Sequence, residues 1–167
     1  RLSLEDEASA VAQLEALLDE IEPQVVLGLA RNGVYGHRDH ICCTRWLEMA
    51  MVKHAGESRL LLADAPPGLF IPVWRMLRTM TAIIEPDLDP EELGVPAAKA
   101  DLVIDIRAEN KTKRQALSCY ESQLEDSNPM SFLMPGLLEP LLDRELFVQA
   151  LGPALPRGAT NPFEGLP

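Results

Sequence analysis

Positive charge is scarce in this chain: 15 Lys and Arg stand against 26 Asp and Glu, for a formal net charge of −11 and a pI near 4.7. A nucleic-acid groove or an anionic membrane surface is recognised by clustered cations, so composition argues against both partners. Long hydrophobic runs are missing too. No stretch approaches the roughly 18 apolar residues of a membrane span, and no signal peptide is visible. We therefore expect a cytoplasmic protein whose partner is a small molecule or another protein, with self-association into a homo-oligomer left open. Cysteine is nearly absent. The three residues, two of them adjacent (Cys42 and Cys43), cannot build a disulfide framework and lack the C-x-x-C spacing of a structural zinc site, so we expect reduced core thiols. There is no internal repeat and no initial methionine; the chain starts at Arg1, and further sequence is expected upstream.

What is present suffices for one domain, since 167 residues of which 47% are apolar can bury a sizeable core. Val11, Leu14, Leu18 and Ile21 recur at spacings of three and four, which predicts a helix over residues 3–22 with Ser3 as N-cap and Pro23 as its stop. Residues 24–30 form an apolar run without alternation, the pattern of an internal strand covered on both faces. A helix over 41–55, stopped by Gly56, and a buried strand over 59–63 complete one βαβ unit with a right-handed crossover. Further on, the sequence predicts a helix over 70–80 with Pro72 in its first turn, an acidic Pro-rich loop over 85–92 and a strand over 101–106. A helix over 108–124 is expected to turn Ala116, Leu117, Tyr120 and Leu124 inward and Lys111, Lys113 and Arg114 outward. A loop over 126–136 then leads to a last helix near 141–151. Residues 1–152 are read as the domain. Residues 153–167, with four of the 14 prolines, are read as an extended or disordered tail.

The stretch that organises these elements is Asn32-Gly33-Val34-Tyr35-Gly36-His37-Arg38-Asp39-His40, at the strand-to-helix junction of the βαβ unit. In open α/β folds that junction, at the carboxyl edge of the sheet, is where ligands bind. Two of the three histidines stand here at i, i+3 on one face of a helical first turn, with Asp39 close enough to fix a tautomer by hydrogen bonding. The group suits a metal, an oxyanion or both. It is equally a polar helix start, with Asp39 as N-cap and the histidines satisfied by backbone or solvent. Gly33 and Gly36 permit a sharp turn and close approach to a ligand. Tyr35 either presents its hydroxyl to a pocket or packs on the sheet edge.

Residues 33–40 resemble the second signature of the LmbE-like, or PIG-L-like, zinc-dependent N-deacetylases, Gly-x-Tyr/Ser-Gly-His-Pro-Asp-His, and Pro23-Gln24-Val25-Val26 is similar to the Pro-Asp-Val-Val that precedes it. Val103-Ile104-Asp105-Ile106, followed by Lys113-Arg114-Gln115-Ala116-Leu117 and Ser122-Gln123, resembles the family's later strand and its Lys-x-x-Ala-Leu helix ending in Ser-Gln. Arg144-Glu145-Leu146-Phe147 is similar to its C-terminal Glu-x-Phe. The resemblance runs from about residue 10 to residue 150. It implies a three-layer, Rossmann-like α/β fold with a mainly parallel sheet. It also implies hydrolysis of the N-acetyl group of a small-molecule amino sugar or glycoconjugate, with Zn²⁺ or another divalent metal as cofactor. By the same resemblance His40 is a metal ligand, His37 stabilises or protonates the tetrahedral intermediate, Asp39 orients His37, and Tyr35 is a second oxyanion donor. The physical logic agrees, because zinc makes its water hydroxide-like near neutral pH and attack on an acetamide leaves an oxyanion that needs donors about 3 Å away.

Two departures stand out. The family's His-Pro-Asp-Asp-Glu motif, which carries the remaining ligands and the general base, is absent from these 167 residues, so the resemblance is to a C-terminal portion of the domain. A catalytic zinc takes three protein ligands, and His40 is the one clear candidate. His54 lies about 21 Å farther along the helix at 1.5 Å per residue, out of reach, and Asp64 qualifies only by its place at a strand end. The second departure is Arg38 in place of proline. It adds a cation beside the site and makes Arg38 a candidate substrate-binding residue for an anionic group. A non-catalytic binding module or subunit that keeps the fold and the loop is the alternative reading.

Overall fold

The computed structural model describes residues 2–124, 128 and 136–166, so the loop expected over 126–136 lies outside the described residues except for Asn128 and Gly136. Helix α1 (Glu7–Ile21) starts at Asp6, not Ser3: the Asp6 carboxylate accepts the Ser9 N–H at 2.8 Å, and Glu7 adds a negative charge to the first turn. Strand β1 (Val25–Leu29) leads through α2 (Gly33–Gly36), a single distorted turn, into α3 (Arg38–Met51). Strand β2 (Arg59–Asp64) pairs in parallel with β1, Val25 opposite Arg59 and Leu29 opposite Ala63, which establishes the expected βαβ unit. Helix α4 (Ile71–Leu77) carries Pro at its start and buries Trp74. Strand β3 (Leu102–Asp105), α5 (Asn110–Ser118) and β4 (Arg144–Leu151) follow.

The strands lie in the order β1-β2-β4-β3, in an open α/β sheet. Among the described residues the sheet is mixed: β1 and β2 are parallel, whereas β4 runs antiparallel to both of its neighbours. This corrects two local expectations. The helix expected near 141–151 is a 3₁₀ turn at Glu139–Leu142 followed by β4, because β2 and β3 accept and donate hydrogen bonds on its two sides and that pairing outweighs a helical spacing of apolar residues. Among the described residues strand β1 stands at the sheet edge, where an internal strand is expected. Among them it pairs with β2 alone, and Leu27 is 58% exposed.

One sheet face is covered by α1 and α3, with Leu18, Ala50 and Met51 packed on Leu60 and Leu62. The other gathers Leu61, Leu102 and Phe147 with Leu155 and Ala159 of the final segment. That segment has neither helix nor strand, and its backbone is drawn together by Arg59. This guanidinium is 0% exposed and donates to the carbonyls of Pro153, Ala154, Pro162 and Glu164 at 2.6–3.1 Å.

Helix α5 is shorter than its spacing predicts. Ala116 and Tyr120 are exposed, and Lys113 points inward, donating to the Leu141 carbonyl at 2.7 Å and to Glu145 at 3.0 Å. The cysteines are free but not core residues. Cys43 and Cys119 are exposed and Cys42 is half-buried, since Thr44, Trp46, Ala50 and Met51 carry the buried side of α3. Among the described residues no helix is long and apolar enough to cross a membrane.

Candidate functional site

Between Leu29 and Arg38 the chain reverses from sheet to helix, and its backbone is held by specific partners. The Asn32 side chain accepts the Val34 N–H at 2.9 Å and donates to the Glu92 carbonyl at 3.3 Å. Gly33 (φ 70°) and Gly36 (φ 83°) both require the left-handed region, and a Cβ at Gly33 would sit 2.9 Å from the Ile41 side chain. Val34 is also at positive φ, but its φ 70° and ψ −49° are those of the rare, strained γ-turn, which for a β-branched residue costs about 1–3 kcal/mol. A neighbouring segment braces the turn: the Arg38 N–H donates to the Ile83 carbonyl at 2.7 Å, and the Glu85 N–H donates to the Gly36 carbonyl at 2.8 Å.

His37 and His40 come together as the i, i+3 spacing predicts. Their rings stack with centroids 4.5 Å apart and an interplanar angle of 28°. His37, rather than Asp39, is the N-cap of α3: its Nδ1 accepts the Asp39 N–H at 3.2 Å. An accepting Nδ1 bears no proton, so in the neutral ring the N–H is at Nε2. The Nδ1 of His40 lies 3.2 Å from the Gly33 carbonyl oxygen, which only accepts. Nδ1 therefore carries the proton and Nε2 keeps its lone pair. The two stacked rings thus have opposite tautomers, one offering an N–H and the other a lone pair.

Burial, then the neighbouring His37, pushes the His40 pKa below its ordinary value, while the Gly33 hydrogen bond and the Asp39 charge oppose the shift; the net direction favours the neutral ring. Tyr35 meets both rings edge-on, at 5.8 Å from His37 and 5.4 Å from His40, and leans on Phe70 at 5.8 Å. Burial raises its pKa, so the phenol keeps its proton.

These donors match one imidazole ligand of a catalytic metal, with Nδ1–H fixed by a backbone carbonyl and Nε2 available. They do not make a full shell: among the described residues no three His, Cys, Asp or Glu side chains converge on a common point. His54 is elsewhere, 3.4 Å from Asp19. Arg38 stands 3.4 Å from Glu85, which supplies a counter-charge. Asp64, raised in pKa by burial, lines a largely apolar cavity of about 510 Å³ with Leu27, Val34, Phe70, Lys113 and Glu145. Phe70 and the Ile83–Glu85 brace carry no motif of their own. The Asn-Gly pair at 32–33 is the sequence signal for the turn, whereas the other partners are remote in the chain.

No family model matches the chain. It is 32% identical over 158 residues to the 1D-myo-inositol 2-acetamido-2-deoxy-alpha-D-glucopyranoside deacetylase of Saccharomonospora viridis, a match covering 93% of this chain and 58% of that protein. It is 30% identical over 170 residues to the protein of the same name from Rhodococcus jostii, covering 92% of this chain and 57% of the relative. The chain thus spans somewhat more than half the length of these relatives. The motif at residues 33–40, the βαβ unit that presents it and the relatives aligned with nearly all of the chain agree in likening this protein to the LmbE-like, or PIG-L-like, deacetylases.

Proposed function

We propose that the complete protein is a metal-dependent deacetylase that hydrolyses the N-acetyl group of an amino-sugar glycoside, with Zn²⁺ or another divalent cation as cofactor. The observation that carries this reading is the stacked His37–His40 pair with opposite tautomers, edged by a protonated Tyr35 at the carboxyl end of β1. A divalent metal supplies an activated water and polarises the acetamide carbonyl when bound. His40 offers it a neutral Nε2. The Nε2–H of His37 and the Tyr35 hydroxyl are donors for an oxyanion, and the Asp39 N–H holds the His37 ring in the required tautomer. The other metal ligands lie in sequence outside these residues. The open edge of β1, which ends at the His loop, supports addition of a further strand beside the site.

The glycoside named for the relatives, a 2-acetamido-2-deoxyglucopyranoside of myo-inositol, is the first substrate to try on the complete protein. We expect release of a free amine, its loss on chelation and its return with a divalent cation. Activity that survives exhaustive chelation would sink the metal assignment. A second reading, a non-catalytic module of the same family, is favoured by the incomplete ligand set among the described residues. It is chosen if the complete protein binds the glycoside, retains no metal and releases no amine.

A further inference from the structure

Val34 occupies a backbone conformation that its side chain disfavours, whereas the flanking Gly33 and Gly36 take positive φ without a Cβ penalty. Such an outlier persists only where its surroundings over-determine it. The Val34 N–H is held by Asn32 Oδ1 at 2.9 Å, and the Asn32 carbonyl accepts the Gly36 N–H at 3.0 Å, closing the turn across Val34. Its side chain packs with Tyr35 into the apolar cluster of Ala65, Phe70, Val73 and Leu137. The next residue, Tyr35, returns to φ −134°, and its ring lies edge-on to both histidines.

We propose that Val34 is a positioning residue: its side chain, anchored in the Phe70–Val73 cluster, fixes an inverted turn that sets the Tyr35 ring against the His37–His40 pair. A glycine at this position would adopt the same φ without strain but would have no anchor, leaving the turn and Tyr35 free to move. The positional part of the inference stands on the loop geometry alone. Its catalytic consequence rests on the reading of Tyr35 as an oxyanion donor.

The two parts are tested separately with Val34→Gly, chosen because loss of strain favours a folded variant, and with Val34→Ala, which keeps the strain and shortens the anchor. The chain has three histidines, so their imidazole C–H signals can be followed by NMR, with His54 beside Asp19 as an internal reference. Both variants should move the His37 and His40 signals through the displaced Tyr35 ring and leave His54 in place. Unchanged His37 and His40 signals in folded Val34→Gly overturn the proposal. In the complete enzyme, Val34→Gly should lower kcat about a hundredfold, the scale of a misplacement near 1 Å, with KM little altered. It should cause no further loss in a Tyr35→Ala background, and an equal loss there means that Val34 does not act through Tyr35. If Tyr35→Phe keeps full kcat while Val34→Gly still shifts both histidine signals, Tyr35 is not an oxyanion donor and the positioning role remains.

Discussion

Replacing His37 by alanine and by serine separates two jobs that the structure gives one ring. Nδ1 of His37 caps α3 by accepting the Asp39 N–H at 3.2 Å, and the ring stacks on His40 at 4.5 Å. Alanine removes cap, stack and donor together. Serine restores only the cap, since its hydroxyl accepts the same class of helix-start N–H. Losing an N-cap costs typically about 1 kcal/mol, and the stack about 0.5–1.5 kcal/mol more. His37→Ala should therefore unfold about 1.5–2.5 kcal/mol more easily than wild type, of which His37→Ser regains about 1 kcal/mol. In a chain of this size that regain is about 2–4 °C in Tm. Activity should not follow stability. Both variants lose the Nε2–H, and kcat of the complete enzyme should fall by about 10²–10³ in each, the range for one missing oxyanion donor. The assays are denaturant unfolding of the chain and, for the complete protein, amine release together with metal content after dialysis. Equal stability of the serine and alanine variants would refute the cap. Recovery of kcat with serine would refute the donor role, and loss of metal from both variants would make His37 a ligand.

Outcomes at three further residues follow from the same structure. Arg38→Pro, which installs the residue of the family signature, deletes the N–H that Ile83 accepts at 2.7 Å; unfolding measurements should show a loss of about 0.5–1.5 kcal/mol, absent in Arg38→Ala. Because Glu85 already faces Arg38, either change should leave KM for anionic and neutral acetamides in nearly the same ratio, and a selective rise for anionic ones would restore Arg38 as a substrate contact. Burial raises the Asp64 pKa, so its contribution to stability is complete below the unfolded value near 3.8 and is lost as pH rises through the folded value; Asp64→Asn should stabilise the chain at pH 7 and not at pH 3, a difference that equal effects at both pH values would contradict. Arg59→Met strips four carbonyls of a shared donor, and should cost at least the 1.5–3 kcal/mol or so of one charge-assisted hydrogen bond, with faster amide exchange over residues 152–166; unchanged exchange there would show that the segment is held by its apolar contacts alone.

Features set by near neighbours in the chain were legible before any fold was known. Apolar runs at residues 24–30 and 59–63 identify β1 and β2; that a strand buried in a sheet has no polar face to encode is the reason for β2, whereas β1 carries the same pattern with Leu27 exposed. The i, i+3 spacing of His37 and His40 brings their rings together, since a helical first turn places them on one side whatever surrounds it. The paired glycines likewise mark a turn that a Cβ would block.

Other features depend on partners far along the chain, and local pattern is silent on them. Residues 144–151 carry a helical spacing yet form a strand, because β2 and β3 present unpaired backbone on either side of them. Lys113 turns inward to a carbonyl and a carboxylate 28 and 32 residues away, and Arg59 is buried by a segment more than 90 residues later. The site divides in the same way. The histidines are a property of the sequence, but their opposite tautomers, the edge-on Tyr35 and the strained Val34 arise only when the turn closes and when Phe70, Glu92 and Ile83 pack around it, since a hydrogen-bond partner decides which ring nitrogen keeps its proton.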